Sequence, residues 1–478
     1  MTFAPQAGPR TRDRTRPSPL GGLVFAIAAV GLLAGTAPAL SLVAQGALAT
    51  RGPALLHEVA GLGTRARSLL GYLVLLGIAF ALSSGRGSVS WRTVVWGVVL
   101  QFSFAGVVLR TGFGRRFFDA MNVGFTSLLG FTAQGTAFLL KPFGSEQAHP
   151  ALMNFVFQVL PTIIFFASLT AVLYHLGVMQ IVVGAMARVM QVTMGTSGAE
   201  SLSAAANIFV GQTEAPLLVR PFVAKMTRSE LMAIMVGGFA TIAGGVMAAY
   251  VQILQPRFPE IAGHLMAASV MNAPAGLLLA KMMIPEREEP TTRGRSKIRV
   301  ERPDPNVIGA AARGASEGMT LVLNVAAMLL AFIALIALLN ALLGRAGGLL
   351  GFPGLKLETL LGNALRPVAW LLGVNWGDAV AVGNLMGEKI VLNEFVAYSH
   401  LGDTLAGAKT ALTDRSVTIA SYALLGFANF ASIGIQIGGI GGLAPERRGD
   451  LARLGLRAMI AGTLAAYMSA AVAGLLVG

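Results

Sequence analysis

The stretch Asn207-Ile-Phe-Val-Gly-Gln-Thr-Glu-Ala-Pro-Leu217 places a carboxylate, two amides and a hydroxyl inside an otherwise apolar part of the chain. Polar and ionisable side chains at membrane depth are energetically costly, so they usually mark a substrate or ion pathway. Gly211 and Pro216 stand where a helix is expected to break, and a broken helix leaves backbone groups free to act as ligands. The stretch therefore predicts a binding site for a transported solute or ion.

The composition around this stretch is that of a membrane protein. Of 478 residues, 55% are hydrophobic and only 12% are charged, and the mean hydropathy is +0.69. Long uncharged apolar windows are typical of transmembrane helices, whereas a transmembrane barrel would show alternating segments. We therefore predict an all-α polytopic membrane protein with spans at 69–84, 94–109, 155–186, 231–256, 261–280, 319–344, 416–445 and 458–478.

The net charge of +14 does not indicate nucleic-acid binding. The basic residues fall in short hydrophilic gaps between apolar segments, as the positive-inside rule predicts for a membrane protein. A nucleic-acid interface would need a basic soluble face, which these gaps do not provide. The chain has no cysteine, which excludes disulfides and cysteine metal sites.

The N-terminal region adds elements to the core. Residues 1–17 read as a basic cytoplasmic N-terminus, and 18–48 as an extra transmembrane segment or signal anchor. A cleaved signal is the alternative, but the apolar run exceeds the roughly 7–15 residues of the hydrophobic region of an ordinary signal peptide. Residues 66–150 are interpreted as peripheral N-terminal transmembrane helices with an interfacial segment.

The remainder of the chain divides into two related halves, 151–284 and 307–478, separated by a charged cytoplasmic linker at 285–306. The segment Gly237-Gly-Phe-Ala-Thr-Ile-Ala-Gly244 resembles Leu425-Gly-Phe-Ala-Asn-Phe-Ala-Ser432. Each of these segments follows a short segment with polar residues at its tip, 201–219 in the first half and 382–400 in the second. Counting the predicted membrane crossings along the chain puts both ends of the first short segment inside the cell and both ends of the second outside. This arrangement is typical of inverted repeats.

The inverted repeats predict two re-entrant helical hairpins and two interrupted transmembrane helices that meet near the membrane midplane. Glu214 and Glu394 receive a functional interpretation, because neither lies where its side chain could easily reach the interface. Small residues in these spans are assigned to close packing instead. The hairpins are expected at about 195–222 and 378–400, and the interrupted helices at about 231–256 and 416–445.

Several of these motifs resemble, in the same order, those of the concentrative nucleoside transporter family. The similarity covers roughly residues 69 to 478 and is carried by 157–166, 207–217, 238–244, 393–398, 426–429 and 443–450. The resemblance implies a secondary active symporter, not an enzyme, that imports nucleosides such as uridine, cytidine or adenosine by alternating access. It also implies a homotrimer in the inner (cytoplasmic) membrane of a bacterium. Coupling would be to sodium, without an organic cofactor, or to protons as in some bacterial members.

The resemblance further implies a role for each matching position. Residues that would face the nucleobase are Gln212, Thr213, Glu214 and Val246. Residues that would contact the ribose are Glu394, Asn429, Ser432 and Phe427. Sodium would be held by side chains or backbone carbonyls of Asn207, Val210, Thr241 and Ile242.

The chemistry of these groups suits those roles. Gln212 and Thr213 carry both donors and acceptors, as the edge of a nucleobase does. An ionised Glu394 is a strong acceptor for the two hydroxyls of ribose. Sodium is a hard cation that prefers amide, hydroxyl and carbonyl oxygens. A sodium site without a carboxylate suits an ion that must be released.

Some alternatives stay open at this point. Glu388 stands where the family has an apolar residue, and we expect it to pair with Lys389 or face water. Proton coupling through Glu214, Glu388 or Glu394 is the alternative to sodium. A passive channel and an intramembrane enzyme are less favoured, because nested hairpins suit alternating access and no nucleophile–base or metal-ligand spacing is present. The preference for purines or pyrimidines is left undecided.

Overall fold

The computed structural model describes residues 53–140, 157, 159–294, 304–349, 351–352, 354–407 and 412–477. The predicted N-terminal segments at 1–17 and 18–48 lie outside the described residues. In chain order the α-helices are α1 Pro53–Ala81, α2 Trp91–Arg110, α3 Gly112–Leu140, α4 Leu160–Leu176, α5 Val178–Met194, α6 Gly198–Ala206, α7 Arg220–Val223, α8 Arg228–Ala240, α9 Gly244–Leu254, α10 Ile261–Met283, α11 Val307–Leu349, α12 Leu357–Leu372, α13 Ala379–Val391, α14 Glu394–Ala406, α15 Asp414–Leu424, α16 Phe430–Leu443 and α17 Arg448–Leu476.

The described elements are helical throughout, which confirms the prediction of an all-α polytopic protein. Helices long and apolar enough to cross a membrane are found within the described residues at Gly63–Ala81, Trp91–Arg110, Arg228–Leu254, Ile261–Met283, Val307–Leu349 and Pro445–Leu476. The span through α8 and α9 is 89% buried, whereas that of α11 is only 6% buried. The core therefore lies around α8, α9 and α10, and α11 faces outward.

One predicted span is sharply bent. Residues 155–186 were expected to form one span, but α4 and α5 meet at an angle of 79°. Gly177 lies between them with a φ of 88°, and its N–H donates to the carbonyls of Leu173 and Tyr174. Because only glycine adopts this left-handed conformation without strain, the residue ends α4 and redirects the chain into α5.

The two sequence repeats coincide with two broken helices. Three non-helical residues, 241–243, separate α8 from α9, and five, 425–429, separate α15 from α16. The breaks touch, since the N–H of Phe427 donates to the Thr241 carbonyl at 3.3 Å. Gly426 has a φ of 104°, and a Cβ there would lie 2.6 Å from the Phe239 carbonyl oxygen. Glycine thus allows the two breaks to meet in the core.

Each broken helix is preceded by a helical hairpin. The first consists of α6, the 3-10 helix Ala215–Val219 and α7, and the second consists of α13 and α14. Backbone bonding seats the first hairpin against the first break, because the Gly244 N–H donates to the Phe209 carbonyl at 2.9 Å. We call these two elements hairpin 1 and hairpin 2.

Capping boxes position the first residues of hairpin 1 and of α8. Ser197 and Glu200 cap α6, and Thr227 and Glu230 cap α8 in the same reciprocal manner. The two boxes are joined, because the Ser197 hydroxyl donates to the Glu230 carboxylate at 2.6 Å. Hairpin 1 and the first interrupted helix therefore start from one hydrogen-bonded base.

Candidate functional site

The tip of hairpin 1 is hydrogen-bonded to the second interrupted helix. Gln212 Nε2 donates to Ser432 Oγ at 3.2 Å, and Gln436 Nε2 donates to Gln212 Oε1 at 3.0 Å. All three side chains are buried. A buried amide whose donor and acceptor are both used is held in one orientation. The polar cluster of the first half is thus aimed at the second half.

The Glu394 carboxylate lies at the junction of hairpin 2 with both interrupted helices. It accepts hydrogen bonds from the Tyr250 hydroxyl at 3.1 Å and from Asn429 Nδ2 at 3.0 Å. Tyr250 belongs to α9 and Asn429 to the break between α15 and α16. Only 5% of Glu394 is exposed, so these donors are needed to compensate the buried charge.

Helix capping explains why these groups converge. Asn393 is the N-cap of α14 and accepts from the Val396 N–H, which places Glu394 in the first turn. Asn429 is the N-cap of α16 and accepts from the Ser432 N–H at 2.9 Å. Helix N-termini favour negative groups and acceptors. The Asn429 side chain therefore connects the starts of the two helices, since it donates to Glu394 and accepts from the Ser432 N–H.

The contacts form one chain across both halves. They run from Tyr250 through Glu394, Asn429 and Ser432 to Gln212 and Gln436. We call this set the central network. It brings together three residues predicted to contact ribose and one predicted to contact the base.

Other predicted residues lie beside the central network. The Thr213 hydroxyl donates to Glu214 Oε1 at 3.0 Å, and the Thr213 methyl packs against Gly439 of α16. Glu214 is exposed and interacts electrostatically with Glu317 of α11. The described contacts of the Glu214 carboxylate are with Thr213 and Gly211 at the hairpin tip, and none of them is with the central network.

Two apolar residues of the predicted site lie at the breaks, Val246 just after the first and Phe427 within the second. Val246 is buried on α9, in the first turns after the first break. Phe427 is half-buried within the second break, and its backbone N–H is bonded to Thr241. Both residues thus lie on the segments that carry the central network.

The four predicted sodium residues lie in two segments that touch. Asn207 and Val210 belong to the tip of hairpin 1, and Thr241 and Ile242 belong to the first break. All four are buried. Bonding between Gly244 and Phe209 holds these segments together. The contact between the tip of hairpin 1 and the first break therefore places the four predicted sodium ligands in neighbouring segments.

Asn207 carries the strongest sign of an ion site. Among the described residues its Nδ2 and Oδ1 atoms have no hydrogen-bond partner, and the residue has no exposed surface. The Thr241 hydroxyl donates to the Gly237 carbonyl at 2.8 Å, so its oxygen lone pairs remain able to accept. Buried polar groups are rarely left unsatisfied. A hard monovalent cation would satisfy this amide oxygen, so the residues fit sodium.

Sequence reasoning missed two members of the central network, Tyr250 and Gln436. Gln436 could have been noticed, since it is the one amide in the apolar run of α16 and polar groups at membrane depth are costly. Tyr250 gives no such signal, because an aromatic residue in an apolar helix usually belongs to the core.

The expectation that Glu388 pairs with Lys389 or faces water is wrong, and Glu388 is only 6% exposed. Glu388 Oε2 lies 2.9 Å from His400 Nδ1 on the other arm of hairpin 2. Lys389 Nζ instead donates to the backbone carbonyls of Ala423 and Leu425. Adjacent residues on a helix project about 100° apart, so neighbouring side chains do not face each other.

Comparisons with known proteins agree along most of the chain. Residues 70–143 match the profile described as Na+ dependent nucleoside transporter N-terminus, and residues 264–474 match that of its C-terminus. Residues 156–257, which include hairpin 1 and the first interrupted helix, match a gate profile described as nucleoside recognition.

Individual proteins are similar over nearly their whole length. An uncharacterized transporter of Haemophilus influenzae is 46% identical over 413 residues, covering 86% of this chain and 97% of that protein. The structure of CNTnw in an inward-facing substrate-bound state has a TM-score of 0.79 at 43% identity, covering 86% of this chain and 98% of that one. A variant of CNTnw in an outward-facing state has a TM-score of 0.82 at 42% identity, covering 87% and 99%.

Proposed function

The chain belongs to the concentrative, Na+-dependent nucleoside transporter family, and we propose that it is a symporter that imports nucleosides, driven by the inward movement of sodium down its gradient. Transport is by alternating access across the cytoplasmic membrane of a bacterium. The substrates are nucleosides such as uridine, cytidine or adenosine. Residues 151–284 and 307–478 act as two inverted transport repeats, with hairpins 1 and 2 re-entering the membrane from opposite sides.

The central network is the observation that carries this proposal. It links both halves through the bond between Gln212 and Ser432, at the level where the two helix breaks meet. In an inverted-repeat transporter the substrate binds at this junction. A nucleoside entering there replaces hydrogen bonds between protein groups with bonds of its own, so few buried polar groups are left unsatisfied.

Ribose is the part of the substrate that Glu394 recognises. Each carboxylate oxygen already accepts one hydrogen bond, from Tyr250 or Asn429, and retains lone pairs for a ribose hydroxyl. Charge-assisted bonds to the two hydroxyls give this end of the site its strength. Asn429 and Ser432 supply further polar contacts to the sugar, and Phe427 lies against it.

The nucleobase is recognised from hairpin 1. Gln212 offers both an acceptor and a donor, and Gln436 holds its orientation. Thr213 and Glu214 complete the polar side of the base site, and Val246 packs on the base. The exposed Glu214 reaches the base through movement of the hairpin tip during binding.

Sodium couples to substrate through hairpin 1. Asn207 and Val210 stand a few residues before Gln212, so an ion bound between the hairpin tip and Thr241 and Ile242 also fixes Gln212. An ion that orders one site lowers the cost of binding at the next, and the coupling is reciprocal. Sodium binding should therefore raise nucleoside affinity, and nucleoside should raise sodium affinity.

Proton coupling is the second candidate, favoured by one contact. The buried Glu388 and the exposed His400 form a pair on hairpin 2, with 2.9 Å between Oε2 and Nδ1. A titratable pair on an element that contacts the substrate could carry a proton instead of a sodium ion.

The decisive experiment is uptake of radiolabelled uridine into proteoliposomes containing the purified protein. We expect accumulation above the external concentration when an inward sodium gradient is imposed, and none when choline replaces sodium. Equilibration without accumulation would instead favour a passive channel. Uptake that ignores sodium but follows an imposed pH gradient would replace sodium by protons as the coupling ion.

A variant links that result to the ion site. Asn207→Leu should abolish the rise in uridine affinity with sodium, because the unpartnered amide oxygen is removed. Asn363→Ala, which changes an exposed amide on α12, is the control and should retain it. Equal sodium dependence in both variants would contradict the assignment of Asn207.

We also propose that the protein assembles as a homotrimer in the lipid bilayer. The long helix α11 is apolar and largely exposed in the single chain, so it has surface available for lipid and for neighbouring copies. Native mass spectrometry in detergent should give three chains per particle, and a monomer would contradict the proposal.

A further inference from the structure

Tyr250 is a fully buried tyrosine in the second turn of α9. Its hydroxyl donates to Glu394 Oε1 on hairpin 2 at 3.1 Å. A buried tyrosine hydroxyl needs a hydrogen-bond partner, and an ionised carboxylate is a stronger acceptor than a backbone carbonyl. This contact therefore acts on the group to which the proposed function assigns the ribose.

Tyr250 lies on the same face of α9 as a residue of the proposed base site. Val246 precedes it by four residues, and side chains four apart on a helix are neighbours. The helix itself begins at Gly244, directly after the first break. One face of α9 thus presents the residue proposed to pack on the base and, one turn later, the hydroxyl that reaches Glu394.

A second tyrosine holds the ring of Tyr250 in place. Tyr398 follows Glu394 by four residues on α14, and its ring stacks on that of Tyr250 with 4.3 Å between the ring centres. The Tyr398 hydroxyl donates to the Ser421 carbonyl at 2.6 Å, which fixes the supporting ring. Phe395 meets the Tyr250 ring edge-on, with 5.3 Å between the ring centres. Because the Tyr250 ring is packed against two other rings, its hydroxyl has a fixed direction.

The Glu394 carboxylate depends on such donors for its own orientation. The last torsion of a glutamate side chain has broad energy wells, so the plane of the carboxylate rotates readily. Tyr250 holds one oxygen, and Asn429, the N-cap of α16, holds the other at 3.0 Å. These donors come from the first and the second half of the chain, and together they fix the plane. The lone pairs left for ribose hydroxyls are then directed before the substrate binds, which lowers the cost of binding.

We propose that Tyr250 is a positioning residue for the sugar of the substrate. Its hydroxyl orients the Glu394 carboxylate so that the carboxylate accepts both ribose hydroxyls. The residue thereby sets the preference for nucleosides that carry the diol over those that lack it. The inference rests on the proposed nucleoside site, and it adds a residue of α9 to sugar recognition.

Tyr250→Phe is the first test, because it removes the hydroxyl and keeps the stacked ring. In equilibrium binding at saturating sodium, uridine affinity should fall about tenfold, as expected for one lost bond to a charged group. The affinity of 2′,3′-dideoxyuridine, which lacks both hydroxyls, should change by no more than about threefold. In a Glu394→Gln background the same substitution should have little further effect, since Tyr250 acts through that carboxylate.

Tyr398→Phe is the matched control. It removes a buried tyrosine hydroxyl from the same aromatic stack, but one that donates to Ser421 and not to the carboxylate. It should keep the wild-type preference for uridine over dideoxyuridine. An unchanged preference in Tyr250→Phe, or an equal loss of preference in both variants, would overturn the positioning role. A wild-type protein that binds no uridine with or without sodium would instead overturn the proposed function, and this inference with it.

A fluorinated tyrosine at position 250 provides the second test. 3-Fluorotyrosine keeps the hydroxyl, so it decides the question even where Tyr250→Phe lacks a cooperative melting transition. Ribose hydroxyls share the carboxylate with the Tyr250 hydroxyl, so uridine should shift the fluorine NMR resonance more than dideoxyuridine does. A resonance that moves equally with both ligands, or with neither, would refute the link between Tyr250 and the sugar.

Discussion

Replacing Glu394 by glutamine tests the ribose site with the smallest change of shape. The glutamate oxygens accept from Tyr250 and Asn429 at 3.1 and 3.0 Å. In Glu394→Gln one oxygen becomes an NH₂ group, which then faces a donor on one side. The charge that would strengthen bonds to both ribose hydroxyls is also lost.

The magnitude follows from the number of bonds. A hydrogen bond to a charged group contributes about 1.5–3 kcal/mol, so losing two charge-assisted bonds costs about 3–6 kcal/mol of binding free energy. Because each 1.4 kcal/mol is tenfold, uridine affinity should fall by about 100- to 10,000-fold. Membrane insertion should be unaffected, since the side chain volume is kept.

The assay is equilibrium binding of uridine to the purified protein at saturating sodium, by calorimetry or radioligand binding. Glu388→Gln is the matched control, because it makes the same change on the same hairpin in a carboxylate that pairs with His400. It should change uridine affinity by no more than about threefold, or roughly 0.6 kcal/mol.

A substrate without the ribose diol completes the cycle. A 2′,3′-dideoxynucleoside should bind weakly to the wild-type protein, and Glu394→Gln should weaken it little further, because both changes remove the same bonds. Uridine affinity within threefold of wild type in Glu394→Gln, or additive losses in the cycle, would refute direct ribose recognition.

Three further predictions concern the contacts around the site. Gly426→Ala should lower the free energy of unfolding by about 2–5 kcal/mol, because it adds left-handed strain and forces a Cβ within 2.6 Å of a carbonyl oxygen, whereas Gly438→Ala, with open space around it, should melt near the wild-type temperature. Lys281→Met should cost about 3–5 kcal/mol by leaving the buried Glu200 unpaired, and melting temperatures should recover when Glu200→Gln is added. Gln436→Ala should weaken uridine binding by about 1–3 kcal/mol in the same binding assay, because Gln212 loses the donor that orients it, and an unchanged affinity would contradict that role.

Much of the fold was predictable because membrane-spanning segments must be long and largely uncharged, and such segments are easy to recognise in a sequence. Uncharged apolar runs predicted helices, and the similarity between 237–244 and 425–432 coincides with both helix breaks. The family resemblance drawn from the same motifs is confirmed by matches over residues 70–143, 156–257 and 264–474. The bend at Gly177 was not predicted, since one glycine in an apolar run is usually tolerated within a helix.

The candidate site was only partly predictable. Gln212 and Glu394 stood out as polar groups in apolar segments, whereas Asn429 and Ser432 were indicated by the family resemblance alone. The structure brings all four into one network. The roles proposed for these residues, and for those of the sodium site, remain predictions that the experiments above address.

The sequence by itself determined that the chain is a helical membrane protein with two related halves, because the cost of placing polar groups in lipid restricts where they occur. It did not determine their partners. Glu388 faces His400, Lys389 caps a helix more than thirty residues away, and Gln436 orients Gln212 from the other half. These pairings depend on how hairpins and broken helices cross in space, and only the tertiary structure decides which distant donor meets which buried acceptor.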